Sequence, residues 1–192
     1  QTVFISGGTG SLGAMAIPVA KSLGLTVATN GNGENEERVR ALGADIFIDY
    51  KKQSYADVLS EVDLVLDTLG DRELPTEFSV HKEGGRLVSL RGMPNGRFAR
   101  RMGMPWYKRF LLSLAGRKYD AMAARKKQTY DFIFVHEDGA QLERIASLFP
   151  AERPLTASID ATFTLDQINE ALAKVRAGGS QGKTIVRIGD FQ

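Results

Sequence analysis

The sequence contains no cysteine. That excludes a disulfide framework and any thiolate-bound zinc within the chain, and it fits a reducing, cytoplasmic setting. Histidine is nearly as scarce. His81 and His136 lie far apart in the pattern and read as ordinary surface residues, so no metal site is expected. No apolar run approaches the roughly 20 residues of a membrane-spanning helix, and nothing at the amino end reads as a signal peptide. Repeats and low-complexity tracts are lacking too. The chain opens at Gln1 rather than Met, almost inside a strand, and reads as a fragment of a longer polypeptide. Its 192 residues suffice for one domain with a full core.

What is present is concentrated in residues 2–13, TVFISGGTGSLG. Val3, Phe4 and Ile5 make a short apolar, β-rich run. Gly8, Gly10 and Gly13 follow at G-x-G-x-x-G spacing, and a helical pattern begins at once. In a strand–turn–helix unit the first glycine permits a tight turn at positive φ. The second lets the backbone approach a pyrophosphate, and the third lets the helix pack close to the sheet. Free N–H groups at the helix start then hold the anion. The spacing therefore predicts dinucleotide binding by Gly8, Thr9, Gly10, Ser11, Leu12 and Gly13.

Further along, Leu12, Ala16, Val19 and Leu23 share a helical face, with Pro18 inside the helix and Gly24 after it. Strands are expected at 25–29, 46–48, 64–67, 85–90 and 132–135, with a last one at 184–188. Helices are expected at 34–42, 54–60, 73–80, 139–148 and 165–177. In the last of these, Leu165, Ile168, Leu172 and Val175 share a face. Alternating strands and helices at this pitch call for an α/β fold: a Rossmann-type, doubly wound parallel sheet of about six strands with helices on both faces. The whole of 1–192 reads as a single NAD(P)-binding domain.

The rhythm breaks at about 94–129. Residues 95–129 carry ten basic side chains against one acid, Asp120, so this segment is +9; with a net +2 overall, the remainder is −7. The segment reads as a basic, partly amphipathic insertion, taken as a lid or dimer arm. Binding to nucleic acid or to a membrane is not expected, since charge runs are more often solvated faces.

The tip of the second strand bears on cofactor choice. NAD sites usually place an Asp or Glu there for the ribose 2′-hydroxyl. This chain has Thr29, Asn30, Gly31 and Asn32, small polar groups that would accept a 2′-phosphate. NADP is expected rather than NAD. The nearest base is Arg38, which is either the partner of that phosphate or a solvated helix charge.

SGGTGSLG at 6–13, RALGADIFIDY at 40–50, DLVLDTLG at 63–70 and GGRLVSLRG at 84–92 together resemble the nucleotide-binding domain of the medium-chain dehydrogenase/reductase superfamily. DGAQLERIASLF at 138–149 and FTLDQINEALAKVRAGGSQGKTIVRI at 163–188 agree. The nearest resemblance is to the quinone-oxidoreductase-like branch, usually zinc-independent. It implies a GroES-like catalytic domain upstream, not contained in this chain, and hence an isolated chain that binds cofactor but is inactive. It implies NADPH-dependent hydride transfer to a quinone, enone, enal or similar small-molecule substrate, with no zinc in this half. By the same mapping Tyr50 sits near the adenine ribose or is a surface aromatic. Thr68, Leu69, Ser89 and Leu90 lie where the cofactor crosses the sheet. Phe134 and Val135 approach the nicotinamide, with Lys183 at its far edge. A homodimer is expected through an edge strand at 132–135.

Two readings compete. One is a non-catalytic NAD(P)-binding sensor or scaffold; the other is an alcohol dehydrogenase fragment. The extended short-chain dehydrogenases are set aside, because no tyrosine here has a lysine four residues later.

Overall fold

Thr2–Ile5 forms β1, and alternation along it sends Phe4 to one side while Val3 and Ile5 go to the other. In this computed structural model, which describes residues 1–152, 154–179 and 181–189, β1 lies inside a six-stranded sheet. The others are β2 (Thr26–Gly31), β3 (Ile46–Asp49), β4 (Val62–Asp67), β5 (His81–Ser89) and β6 (Thr129–Phe132). The order is β3-β2-β1-β4-β5-β6, with every neighbouring pair parallel. The direction of winding reverses between β1 and β4, and in such sheets ligands bind beyond the carboxyl ends of the strands at that reversal.

Helices cover both faces. Under α1 (Gly13–Ser22) and α2 (Glu36–Ala41), Ile5, Ile17, Val27, Val39 and Phe47 form one core. On the other face Phe4, Ile48, Val65, Leu87 and Tyr130 pack against α3 (Leu74–Val80), α4 (Gly96–Arg101) and α6 (Arg117–Ala124). Between the last two runs α5 (Trp106–Ala115). After β6 come α7 (Gly139–Ala146), β7 (Ile159–Thr164), α8 (Ile168–Ala177) and β8 (Lys183–Arg187). β7 and β8 pair in parallel as a separate two-stranded sheet.

Several expectations change. α1 turns Gly13, Ala14, Ile17 and Ala20 inward and leaves Leu12 and Leu23 exposed. Contact of Gly13 with the preceding loop fixes that rotation. Residues 54–60 give only a single 3-10 turn at Tyr55–Asp57. β2 runs on through Asn30 and Gly31, which the pattern reads as loop. β7 has no apolar signature because Asp160, Thr162 and Thr164 interrupt it.

The segment 94–129 is no appendage. Phe98, Ala99, Tyr119 and Ala123 are buried in the same core as Tyr130 and Phe132. Phe98 meets Phe132 edge-on at 5.1 Å, and Tyr119 lies 5.2 Å from Tyr130. β6 also begins and ends three residues earlier than expected, at 129–132 rather than 132–135. Its Asp131 is buried where the pattern wants an apolar residue. Arg86 lies 2.6 Å from that carboxylate, Arg97 3.2 Å and Arg101 3.6 Å. Burial opposes the charge, but Arg86 and Arg97 outweigh it and hold the carboxyl below its usual range. The carbonyls of Tyr130 and Phe132, which alternate away from β5, accept hydrogen bonds from Asn95 Nδ2 and from Arg101.

Candidate functional site

The loop 6–12 joins β1 to α1 at the reversal of winding. Gly7, not Gly8, takes the positive φ, +67°, so the tight turn falls one residue earlier than the spacing suggests. Side chains of β2 hold the loop in place. Gly7 N–H donates to Asn30 Oδ1 at 2.8 Å, and Gly8 N–H donates to Thr29 Oγ1 at 3.0 Å. Thr29 Oγ1 in turn donates to the Ile5 carbonyl at 2.6 Å. A Cβ on Gly8 would lie 2.0 Å from Thr29 Oγ1, and one on Gly13 would lie 2.2 Å from the Gly8 carbonyl oxygen. Both glycines are therefore demanded by packing. Gly10 differs: a Cβ there would meet only the Gly7 carbonyl oxygen, at 3.4 Å. No other protein group closes on that position, and the amides of Thr9, Ser11, Leu12 and Gly13 find no acceptor among the described residues. This is the chemistry of an anion cradle at a helix start.

Arg38 reaches the same loop from α2. Its Nη2 donates to the Thr9 carbonyl at 2.7 Å, while Nε and Nη1 are buried without a partner. A buried guanidinium with two idle donor nitrogens is costly unless an acceptor reaches it. Asn32 lies close by and donates to Glu34 Oε2 at 3.0 Å.

Beside the loop a cavity of about 510 Å³ opens between the ends of β2 and β3 and the turn after β4. Asn30, Ile48, Tyr50, Tyr55, Leu69 and Glu73 line it. Its size is that of a small-molecule or cofactor site. Thr68 and Ser89, at the ends of β4 and β5, point elsewhere. Thr68 Oγ1 donates to the Ser6 carbonyl at 2.6 Å, and Ser89 Oγ donates to Asp67 Oδ2 at 2.5 Å. Asp67 Oδ1 also takes the N–H groups of Leu69 and Gly70, so one buried carboxylate shapes the whole turn. Leu90 N–H donates to the Asp67 carbonyl at 3.0 Å. A second groove, of about 380 Å³, lies past β6, with Phe98, Arg101, Phe134, Val135 and His136 among its walls. Phe134 and Val135 are largely exposed there.

The structure thus brings the glycine loop, Thr29, Asn30 and Arg38 together, and puts Tyr50 and Leu69 in the neighbouring cavity. Lys183 stands apart: it opens β8, with an exposed side chain, and its N–H donates to the Ser158 carbonyl at 2.7 Å. Sequence reasoning overlooked Gly7, Ser6 and Asp67. The doubled glycine at 7–8 and an aspartate closing an apolar strand were their signals.

Two buried ionisable groups stand out, Glu77 near this region and His81 at the opposite, amino end of the strands. Glu77 on α3 is fully buried and neither carboxylate oxygen has a partner. Burial first, then the charge of Asp67, pushes its carboxyl up to about 8. His81, expected on the surface, is fully buried at the start of β5, and burial lowers it to about 4. It follows Val80 directly into the sheet, so its ring has no route to solvent. His136 is exposed.

Comparison with known proteins agrees with this architecture. A family described as zinc-binding dehydrogenase matches residues 42–186. A trans-enoyl reductase of Aspergillus terreus is 28% identical over 207 residues, which cover 98% of this chain and 52% of that protein. An NADPH-dependent alkenal/one oxidoreductase of Arabidopsis thaliana is 35% identical over 94 residues, 48% of this chain and 24% of that one. In fold, the quinone oxidoreductase of Coxiella burnetii superposes with a TM-score of 0.77 at 22% identity, covering 98% of this chain and 53% of that structure. The chain spans about half the length of the relatives it matches from end to end. Zinc finds no fit here. Among the described residues no three His, Cys, Asp or Glu side chains gather into a metal-binding group.

Proposed function

This chain belongs to the zinc-binding dehydrogenase family of the medium-chain dehydrogenase/reductase superfamily, and on that footing we propose that it is the cofactor-binding half of an NADPH-dependent reductase acting on conjugated carbonyl compounds. NADPH, when bound, supplies the hydride. The chain's own residues contribute position. The amides of 11–13 would hold the diphosphate at the start of α1, and the cavity between Asn30, Tyr50 and Leu69 would receive the adenosine. Phe134 and Val135 would shield the far end of the cofactor from water. Quinones, enones, enals and enoyl thioesters are the substrate classes in view; the names of the Arabidopsis and Aspergillus relatives favour a polarised carbon–carbon double bond.

The observation that carries the NADPH preference is Arg38. Two of its nitrogens are buried and idle beside the glycine loop, close to where a ribose 2′-phosphate would lie. A 2′-hydroxyl would offer those two nitrogens far less than a phosphate does. The test is a fluorescence titration of the chain with NADPH and NADH. NADPH is expected to bind at least about tenfold more tightly, equivalent to 1.4 kcal/mol. Arg38→Gln should remove the difference, with NADPH losing more affinity than NADH. Equal affinities in the unaltered chain would overturn the assignment.

The stripe on α8 supports an upstream domain over a self-sufficient sensor. Leu165, in the turn just before α8, and Ile168, Leu172 and Val175 on it are all exposed. A face so apolar on a soluble module calls for a cover, and a second domain of the same polypeptide would provide one.

A further inference from the structure

α5 is built inside out. None of its ten residues is buried. Trp106, Tyr107, Phe110, Leu111 and Leu114 are all exposed, and they fall at i, i+1, i+4, i+5 and i+8. Two adjacent rows of i+4 neighbours make a single outward stripe. Trp106 is 79% exposed. Leu112, on the opposite side, is the residue that packs inward, with Met104.

The charges around the stripe are of one sign. From 96 to 119 there are seven basic residues and no acid. Arg97 and Arg101 are engaged with Asp131. Arg100, Lys108, Arg109, Arg117 and Lys118 form no ion pair among the described residues. An apolar row bordered by uncompensated cations has few matching surfaces. A second copy, meeting this one about a twofold axis, would bring two such positive segments face to face. A nucleic acid would welcome the cations and could stack on Trp106, Tyr107 and Phe110, but it would leave the aliphatic Leu111 and Leu114 in water. A bilayer with anionic headgroups accepts both parts: the acyl boundary takes the stripe and the headgroups take the cations. No helix among the described residues is long and apolar enough to cross a membrane, so α5 would lie in the surface.

We propose that α5 docks this chain onto anionic lipid bilayers, lying in the interface plane with Trp106, Phe110, Leu111 and Leu114 below the headgroups. The proposal is independent of the nucleotide assignment. It also reverses the expectation drawn from composition, which could not reveal which way the apolar row faces.

Trp106 is the only tryptophan and reports directly. The chain is mixed with vesicles of phosphatidylcholine alone and of phosphatidylcholine with phosphatidylserine. Its emission should shift to the blue, and the chain should float with the lipid, only when phosphatidylserine is present. Raising the salt should weaken binding. The triple variant Phe110→Ser, Leu111→Ser, Leu114→Ser keeps the reporter and should bind about tenfold more weakly or worse; Lys108→Glu with Arg109→Glu should do the same. These side chains are exposed, and an unchanged circular dichroism spectrum would show that the variants fold. No shift with phosphatidylserine vesicles, or equal shifts with both, would overturn the proposal. A shift that grows with protein concentration without lipid would assign the stripe to a second copy and overturn it equally.

Discussion

α1 and α8 carry similar apolar patterns and meet opposite fates. The inner face of α1, with Ala14, Ile17 and Ala20, is closed against β1 and β2. The apolar face of α8 is open, with Leu172 60% exposed. The difference lies in what each helix has to sit on. α1 packs on a six-stranded sheet, whereas α8 has only the two strands β7 and β8, and two strands make too small a surface to bury a helix fully. A periodic pattern therefore records that a face needs cover, and topology decides whether the chain supplies it.

The sharpest way to test this contrast is to remove volume from the closed region. Leu87 on β5 is fully buried. Leu87→Ala should cost about 2–5 kcal/mol, measured by chemical denaturation. A loss under about 1 kcal/mol would mean that the six-stranded sheet is far less tightly packed than its burial implies.

The glycine loop divides the same region more finely. Gly13→Ala drives a Cβ against backbone atoms of Gly8 that cannot swing aside, and should destabilise by about 1–3 kcal/mol. Gly10→Ala has room in the protein alone. It should change stability by less than about 0.5 kcal/mol yet weaken NADPH binding tenfold or more, because the added methyl occupies space left for the ligand. If Gly10→Ala bound NADPH as well as the unaltered chain, the loop would be a packing device and nothing more.

The buried ionisable groups give the closed region its pH dependence. The folded state raises Glu77 from 4.5 to about 8, so the fold favours its protonated form. That contribution is complete below pH 4.5 and is lost as pH rises through 8. His81 acts in the opposite sense. It is lowered from 6.5 to about 4, so stability is present above 6.5 and falls as pH drops toward 4. The two offset one another between 4.5 and 6.5. Above 6.5 only Glu77 titrates, and stability should fall by about 2 kcal/mol on the way to pH 8. Glu77→Gln should flatten that upper limb in thermal melts; an unchanged limb would place the titration elsewhere.

The strand–helix alternation and the glycine loop were legible in the sequence, because apolar runs and glycine spacing are local signals, whereas Arg38 was left open between a phosphate partner and a solvated charge. What was not legible depended on long-range partners. Asp131 makes β6 look like a loop until Arg86, Arg97 and Arg101 converge on it. His81 looks like a surface residue until β5 is placed inside the sheet. Thr29 and Ser89 read as ligand contacts, yet Thr29 binds the loop that would hold the ligand and Ser89 is tied to Asp67; Asn30 both holds Gly7 and lines the cavity. Residues 94–129 looked like one insertion because their charge hides two core helices and one exposed one.

The smallest effect belongs to the open region and bears most directly on the contrast. Leu172→Ser with Val175→Ser removes two large apolar side chains from α8. Neither is buried in this chain, so little area is lost from the folded state, and the change in stability should be within about 0.5 kcal/mol. In a polypeptide that includes a covering domain, the same pair would lose about 1.5 kcal/mol or more for each side chain buried there. The two measurements together separate a stripe awaiting its cover from one that simply faces water: a null result in both would leave α8 unpartnered, and a large loss in this chain alone would mean that α8 is already packed.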